Sequence, residues 1–380
     1  MPKISLIVPV FNRENYLRQC LDSAIKQSFS DIEIICINDG STDGSLDILE
    51  SFAKRDARIK ILTQENQGLG AARNTGILAS EGDYLAFLDA DDFIHHDMLH
   101  TMITDAISQN SKIVVCGFNE TDKQGNTTSS NNSHVESADR EVILQRALAL
   151  QTSSMICNKL IKKSLFTKND ILFPVGVFHE DVLINYQLMF YASHITNIDQ
   201  YFYNWRRTEG SISKSISQKH ITDIFLMLEH TKSFLMSKGI YERDFAHYLR
   251  RYIIFCSDLI YRVESSALSV NVKAQLVAMI ALQIRKDGVM TRRSCSLIRN
   301  KDFVLYAKCR IYFKHYTMRY EQQDYVSNKQ TGDLEKMLQS RYGTNWHKFR
   351  LSSVRLLKRL LPNGSGRSRL IHKFIKKVFH

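Results

Sequence analysis

From Ile4 to about Phe118, short β-branched apolar runs alternate with longer stretches in which apolar residues return every three or four positions. A strand period that repeatedly gives way to a helix period predicts a parallel sheet covered by helices. The runs Ile4–Val10, Ile32–Ile37, Ile59–Leu62, Tyr84–Leu88 and Ile113–Cys116 read as its strands. Between the first two, Tyr16, Leu17, Cys20, Leu21, Ala24 and Ile25 repeat at helical spacing. A second helix over Asp43–Lys54 begins beside an acidic residue suited to the positive end of its dipole. The fold class expected is α/β, an open sheet whose ligands lie beyond the carboxyl ends of the strands.

Past this region the pattern changes. Thr121 to Asp139, rich in Ser, Thr, Asn and Gly, reads as a surface loop with room for a short hairpin. A helix over Arg140–Leu150, a short segment around Ile156–Ile161, a loop with Phe173-Pro174, a helix from about Glu180 to Tyr191 and a strand near Ile198–Tyr203 follow, and the sheet is expected to end there. From Ser217 only helix-period stretches remain: Ile221–Met236, Tyr241–Val263, Val270–Arg285, Phe303–Glu321 and Leu334–Tyr342. The chain is thus expected to divide into an α/β domain at 1–216, a helical region at 217–350 and a basic amphipathic tail at 351–380. In that tail Arg355, Lys358, Arg359, Lys373, Lys376 and Lys377 stand among leucines and phenylalanines with no acidic residue. It fits either a helix pair lying on an anionic membrane or a basic helix docked on its own domain.

Composition narrows the class. The chain has 380 residues, 44% of them hydrophobic, enough for a large core, and its 16 glycines and 4 prolines favour long regular elements. Seven scattered cysteines show no zinc or redox spacing and read as reduced thiols. The first residues lack a secretory signal pattern and no apolar run approaches the roughly 20 residues that span a bilayer, so a cytoplasmic protein is expected, with any membrane contact peripheral. The formal charge of +12 bears on partners mainly where it is concentrated, in the tail.

Chemistry-bearing clusters fall at the predicted strand ends. Val8-Pro9-Val10-Phe11-Asn12 opens into a helix and can present Phe11 to a flat base. In Asn38-Asp39-Gly40-Ser41, the carboxylate of Asp39 can accept from a base N–H or a ribose hydroxyl, or simply close a turn. Gly68-Leu69-Gly70-Ala71-Ala72-Arg73-Asn74 is a glycine turn into a helix whose Arg73 suits diphosphate oxygens; its spacing fits neither the ATPase phosphate loop nor the dinucleotide fingerprint. Asp89-Ala90-Asp91-Asp92 sets three carboxylates after a buried strand, a repulsive arrangement that a divalent cation relieves, unless the aspartates only form a turn and cap a helix over His95–Gln109. His179-Glu180-Asp181 stands at a helix start, where a carboxylate can act as a general base or serve the dipole alone.

In this order and at these separations the clusters resemble glycosyltransferase family 2 over about residues 3–215. The resemblance implies a GT-A nucleotide-diphospho-sugar transferase fold, a mostly parallel open sheet flanked by helices, followed here by a mainly helical C-terminal region. It implies that Pro9, Val10, Phe11, Asn12 and Asp39 hold the uracil and ribose of a UDP-sugar, with Arg73, Asp89 and Ala90 near the nucleotide. Asp89, Asp91 and Asp92 would meet Mn2+ or Mg2+, and Asp181, beside Glu180, would be the base of an inverting transfer. Arg206 and Arg207, in a segment similar to the family's closing loop, would clamp the pyrophosphate. Cys157-Asn158-Lys159-Leu160 is similar to a family segment in which tryptophan often stands at the position of Cys157. The partners implied are a UDP-sugar donor and a glycan or lipid-linked oligosaccharide acceptor. A sugar nucleotidyltransferase is a competing reading, although Ile7 to Arg13 lacks that class's glycine-rich loop; a non-catalytic nucleotide or glycan binder is another, and a nucleic-acid partner is not expected.

Overall fold

A computed structural model describes residues 3–132, 139–208 and 216–289, and the chain divides into two compact units, Met1–Ser213 and Lys214–His380. In the first unit β1 (Ile4–Val10), α1 (Glu14–Ile25), β2 (Ile32–Asp39), α2 (Ser45–Ala53), β3 (Ile59–Gln64), α3 (Leu69–Ala79) and β4 (Tyr84–Phe87) follow the predicted alternation. Next come β5 (Phe93–Ile94), α4 (Met98–Ser108), β6 (Ile113–Thr121), β7 (Thr127–Asn131), α5 (Arg140–Leu148), β8 (Lys159–Lys162), α6 (Ser164–Thr167), α7 (Glu180–Tyr191) and β9 (Ile195–Arg206). They form a nine-stranded sheet in the order β3-β2-β1-β4-β8-β6-β9-β5, with β7 paired to β6.

Every residue of β1 and β2 is buried, as in a sheet covered on both faces, and α1 meets it through Leu17, Cys20, Leu21 and Ala24, one helical stripe. Parallel pairing runs through β3-β2-β1-β4 and recurs between β6 and β9. β8 lies antiparallel between β4 and β6, and β5 and β7 are antiparallel as well. The second half of the sheet is therefore more mixed than the pattern implies, because periodicity reports which faces are buried and not the direction of a strand. The polar stretch after Thr121 does carry a hairpin, its turn closed by Asp122 Oδ1 accepting from the amides of Gln124 and Asn126.

The strand order reverses at β1: β2 and β3 build outward on one side, and β4 returns on the other. Such a reversal opens a crevice at the carboxyl ends. The β1–β4 pairing stops at Ile7 with Phe87, whereas β1–β2 continues to Val10 with Asn38. Ile7 O accepts from the Leu88 amide, so Pro9, two residues on, turns its ring nitrogen to the same side where β4 has already ended. A proline here costs no ladder bond, and the two chains part at this point.

The second unit contains α8 (Gln218–Ser237), α9 (Tyr241–Ser265) and α10 (Val270–Asp287), packed on one another, with Tyr252 donating to Asp287 Oδ2 at 2.7 Å. The helices predicted at 303–321 and 334–342 and the tail 351–380 lie outside the described residues. Among those described, no helix is long and apolar enough to cross a membrane.

α3 sits close on β1 and β2 because Gly76 has no side chain: a Cβ there would meet Ile7 Cγ2 at 2.5 Å and Ile37 Cδ1 at 3.0 Å. Both neighbours are β-branched strand residues with little freedom to yield. Gly76→Ala should lower stability by about 1–3 kcal/mol, despite alanine's better helix propensity, as read from the midpoint of urea unfolding.

Candidate active site

The crevice is walled on one side by the ends of β1 and β2. Asn12, at φ 51°, accepts from the Thr42 amide at 2.8 Å through Oδ1 and donates its own amide to Ser41 Oγ at 3.2 Å, tying the two strand ends together. Glu14 and Asp43 exchange caps, Glu14 Oε2 accepting from the Gly44 amide and Asp43 Oδ2 from the Glu14 amide, so the helices α1 and α2 start side by side. Pro9 and Val10 are buried within the strand, whereas Phe11 is 44% exposed. Asp39 is buried and accepts from Gln64 Nε2 at 2.8 Å and the amides of Gln67 and Gly68 at 3.0 and 2.9 Å, which shapes the loop into α3.

On the other side stands the acidic turn after β4, organised by Arg73, which is 2% exposed. Its Nη1 donates to Glu180 Oε1 at 2.5 Å and its Nη2 to Asp89 Oδ1 at 2.8 Å; Nη2 also lies 3.8 Å from Cys157 Sγ. A buried guanidinium needs anionic partners, and two carboxylates from distant segments supply them. Next to it, Asn74 receives the Phe173 amide and donates to the Phe173 carbonyl, both at 2.8 Å, and the Arg73 guanidinium lies 5.2 Å from the Phe173 ring. One turn of α3 thereby fixes the acidic turn and the segment leading to α7 relative to each other.

The three aspartates of the turn face different surroundings. Asp92, expected as an ion ligand, is 2% exposed, and Oδ2 accepts from the Tyr203 hydroxyl at 2.6 Å and Oδ1 from the Arg206 amide at 2.7 Å. Burial first, then the charges of Asp91 and Asp89, push its carboxyl well above the ordinary range. Asp91 is half-buried and held loosely, 3.3 Å from Arg13 Nε and 3.4 Å from Thr208 Oγ1. Burial raises its pKa, Arg13 opposes, and Asp89 adds to the rise. Asp89 commits Oδ1 to Arg73, while Oδ2 has no partner among the described residues. Ala90 is buried, so its side chain offers little to a ligand.

α7 begins abruptly, after His179 in the left-handed region at φ 61°. Glu180 turns inward to Arg73, and burial raises its pKa against that cation. Asp181 is half-buried; burial raises its pKa, Arg73 opposes, and the charge of Asp89 adds to the rise. Close by, Lys159 is buried, donates to Ser153 O at 3.1 Å and Asn158 Oδ1 at 3.0 Å, and is brought down to about 8 by burial, with Asp181 among the charges opposing that fall. Lys159, Tyr203 and Arg13 carried no sequence signal strong enough to mark them as site residues.

The two arginines expected to clamp the pyrophosphate have different partners. Arg206 is buried, donating to Gln19 Oε1 at 2.6 Å and Lys123 O at 2.8 Å, with its guanidinium 5.0 Å from the Tyr16 ring and 5.4 Å from that of Phe93. Arg207 is paired with Glu120 through Nε at 2.9 Å. Arg206 is thus drawn under Tyr16 and Phe93 while Arg207 turns to Glu120. The rest of the expected closing loop, 209–213, lies outside the described residues.

The model of glycosyl transferase family 2 matches residues 5–174. EpsH of Bacillus subtilis is 32% identical over 263 residues, which is 68% of this chain and 76% of EpsH. Glycosyltransferase GlyG of Streptococcus pneumoniae is 33% identical over 222 residues, 56% of this chain and 73% of GlyG. Among solved structures, S. aureus TarS 1–349 in complex with UDP-GlcNAc superposes with a TM-score of 0.61 at 21% identity, covering 85% of this chain and 95% of that one, a likeness of fold.

Removing Arg73 would strand two carboxylates. Arg73→Leu should cost at least about 3 kcal/mol of stability at neutral pH, the scale for breaking one side of a buried ion pair. Arg73→Lys should recover only part of it, since one ammonium lacks the fork that spans Asp89 and Glu180; equal urea midpoints for Arg73→Leu and the parent chain would contradict this account.

Proposed function

This chain belongs to glycosyltransferase family 2 and is a glycosyltransferase, and we propose that it moves a hexose or N-acetylhexosamine from a UDP-sugar to an acceptor hydroxyl with inversion at the anomeric carbon. The observation that carries this reading is the Arg73 joint, which sets Asp89 and the neighbouring Asp91 against the start of α7, where Asp181 stands. A nucleotide-sugar donor is favoured by the crevice at the β1/β4 reversal, with its exposed Phe11 ring, and by the UDP-GlcNAc bound by TarS. We place the product in a surface polysaccharide or lipid-linked glycan, with the basic tail 351–380 resting on the inner face of an anionic membrane.

Among the described residues no three His, Cys, Asp or Glu side chains are gathered as a metal cage. Mn2+ or Mg2+ typically needs only one or two carboxylates when substrate phosphates and water complete its shell. Asp91, loosely held and raised by burial, and the unpartnered Oδ2 of Asp89 fit that requirement; Asp92, with both oxygens committed, does not. An ion held there supplies positive charge to the leaving diphosphate.

The chain's own residues do the rest. Phe11 offers a flat apolar surface to uracil, and Asp39, already accepting three hydrogen bonds, shapes the loop beside the nucleotide. Asp181 accepts the proton of the acceptor hydroxyl as that oxygen attacks the anomeric carbon from the face opposite the diphosphate, so configuration inverts. Its raised pKa, caused first by burial, makes the carboxylate a stronger base than a solvated aspartate. Glu180 acts at one remove, by holding Arg73.

The test is incubation of the chain with Mn2+, a panel of UDP-sugars and candidate acceptor glycans, followed by UDP release. Asp181→Asn should keep Mn2+-dependent UDP affinity by calorimetry and lose transfer by at least about 100-fold, the usual scale of general-base catalysis. Asp91→Ala should lose the metal-dependent part of that affinity. Because only the ionised base works, kcat/KM should rise with pH through a value above the ordinary aspartate range and plateau beyond it. Normal turnover by Asp181→Asn removes the base assignment, and UDP affinity in Asp91→Ala equal to the parent's removes the ion site.

A further inference from the structure

Arg207, paired with Glu120, belongs to a strip of side chains that leads away from the acidic turn along β9. The strip's face is fixed by Tyr203, whose hydroxyl donates to Asp92 Oδ2 and accepts from the Asp89 amide at 3.3 Å. Residues of the opposite parity go the other way, Asn204 donating to Phe93 O and Arg206 lying on Tyr16 and Phe93. Trp205 therefore projects on the face of Tyr203, about 7 Å further along the strand. The parallel neighbour β6 is in register, Phe118 beside Tyr203 and Glu120 beside Trp205, and Asn131 of β7 lies opposite Phe118.

We propose that Trp205 and Phe118, with Glu120, Arg207 and Asn131, form a platform for a sugar ring of the acceptor glycan, tied to the acidic turn by the buried Tyr203 of the same strand. Trp205 and Phe118 are both partly exposed, giving apolar rings on which the C–H face of a pyranose can lie. Along their edge Glu120 Oε2 accepts from Arg207 Nε at 2.9 Å, Glu120 Oε1 from Asn131 Nδ2 at 3.4 Å, and the Arg207 guanidinium sits 5.7 Å from the Trp205 ring centre. Carboxylate, guanidinium and amide are planar groups whose remaining donors and acceptors match neighbouring hydroxyls. Because Glu120 and Arg207 cancel each other's charge, the strip suits a neutral saccharide rather than a phosphate. The donor's nucleotide has its own wall at Phe11 and Asp39, at the far strand ends.

This inference rests on the glycosyltransferase reading, and its test separates the two. With the full chain, Mn2+, and the UDP-sugar and acceptor glycan that give UDP release in the panel, Trp205→Ala should raise the acceptor KM by at least about tenfold. The Kd for UDP by calorimetry should stay within about twofold of the parent's, a split that a general loss of structure does not produce. Trp205→Phe, which keeps an aromatic ring, should restore most of the acceptor KM. Arg207→Ala should raise acceptor KM as well, leaving UDP affinity intact. An unchanged acceptor KM in an active, folded Trp205→Ala overturns the platform alone, as does an equal loss of UDP affinity, which would assign the strip to the donor. A parent chain that transfers to no glycan overturns the parent reading and the platform together.

Discussion

A guanidinium that is buried and cannot shed its proton has to be surrounded by anions, and the site is organised around that requirement at Arg73. Its partners are Glu180 and Asp89, 107 and 16 residues away in the chain. Each of the three groups would be costly alone in this interior, so the arrangement is cooperative: the acidic turn, α3 and the start of α7 are ordered together. Asn74 and Phe173, joined by two hydrogen bonds one residue further along α3, brace the same contact and determine how the segment before α7 approaches. The approach of the acidic turn to the start of α7 is thus held by a salt bridge and an amide clasp.

The compensation is incomplete. Burial still raises the pKa of Asp91, Asp92, Glu180 and Asp181. Carboxylates that hold protons more tightly when folded give stability that is fully present below the ordinary carboxylate values and lost as pH climbs through their raised ones. Burial is the first cause in all four, so ionising these carboxylates in the folded chain carries a cost that neighbouring arginines only partly offset.

Neighbouring residues of like chemistry take separate jobs. Asp91 faces the crevice while Asp92 fastens β9; Glu180 holds Arg73 while Asp181 stays half-buried; Arg206 is buried under Tyr16 and Phe93 while Arg207 joins Glu120 beside Trp205. At the start of α7 the cause is geometric, since successive side chains diverge by roughly 100° on a helix.

Sequence by itself determined the alternating α/β order, the burial of β1 and β2, the position of each cluster at a strand end and the helical character of 218–287. These follow from periodicity and local turn chemistry, which are written within a few residues of each other. It also supplied the acids, the arginine and the exposed phenylalanine. Only the folded chain decided the antiparallel insertion of β8, the joining of Arg73 to Glu180, the commitment of Asp92 to Tyr203 and the removal of Arg206 from the crevice. Those are contacts between segments far apart in the chain, and a local pattern records that a side chain is charged without recording which distant partner will neutralise it.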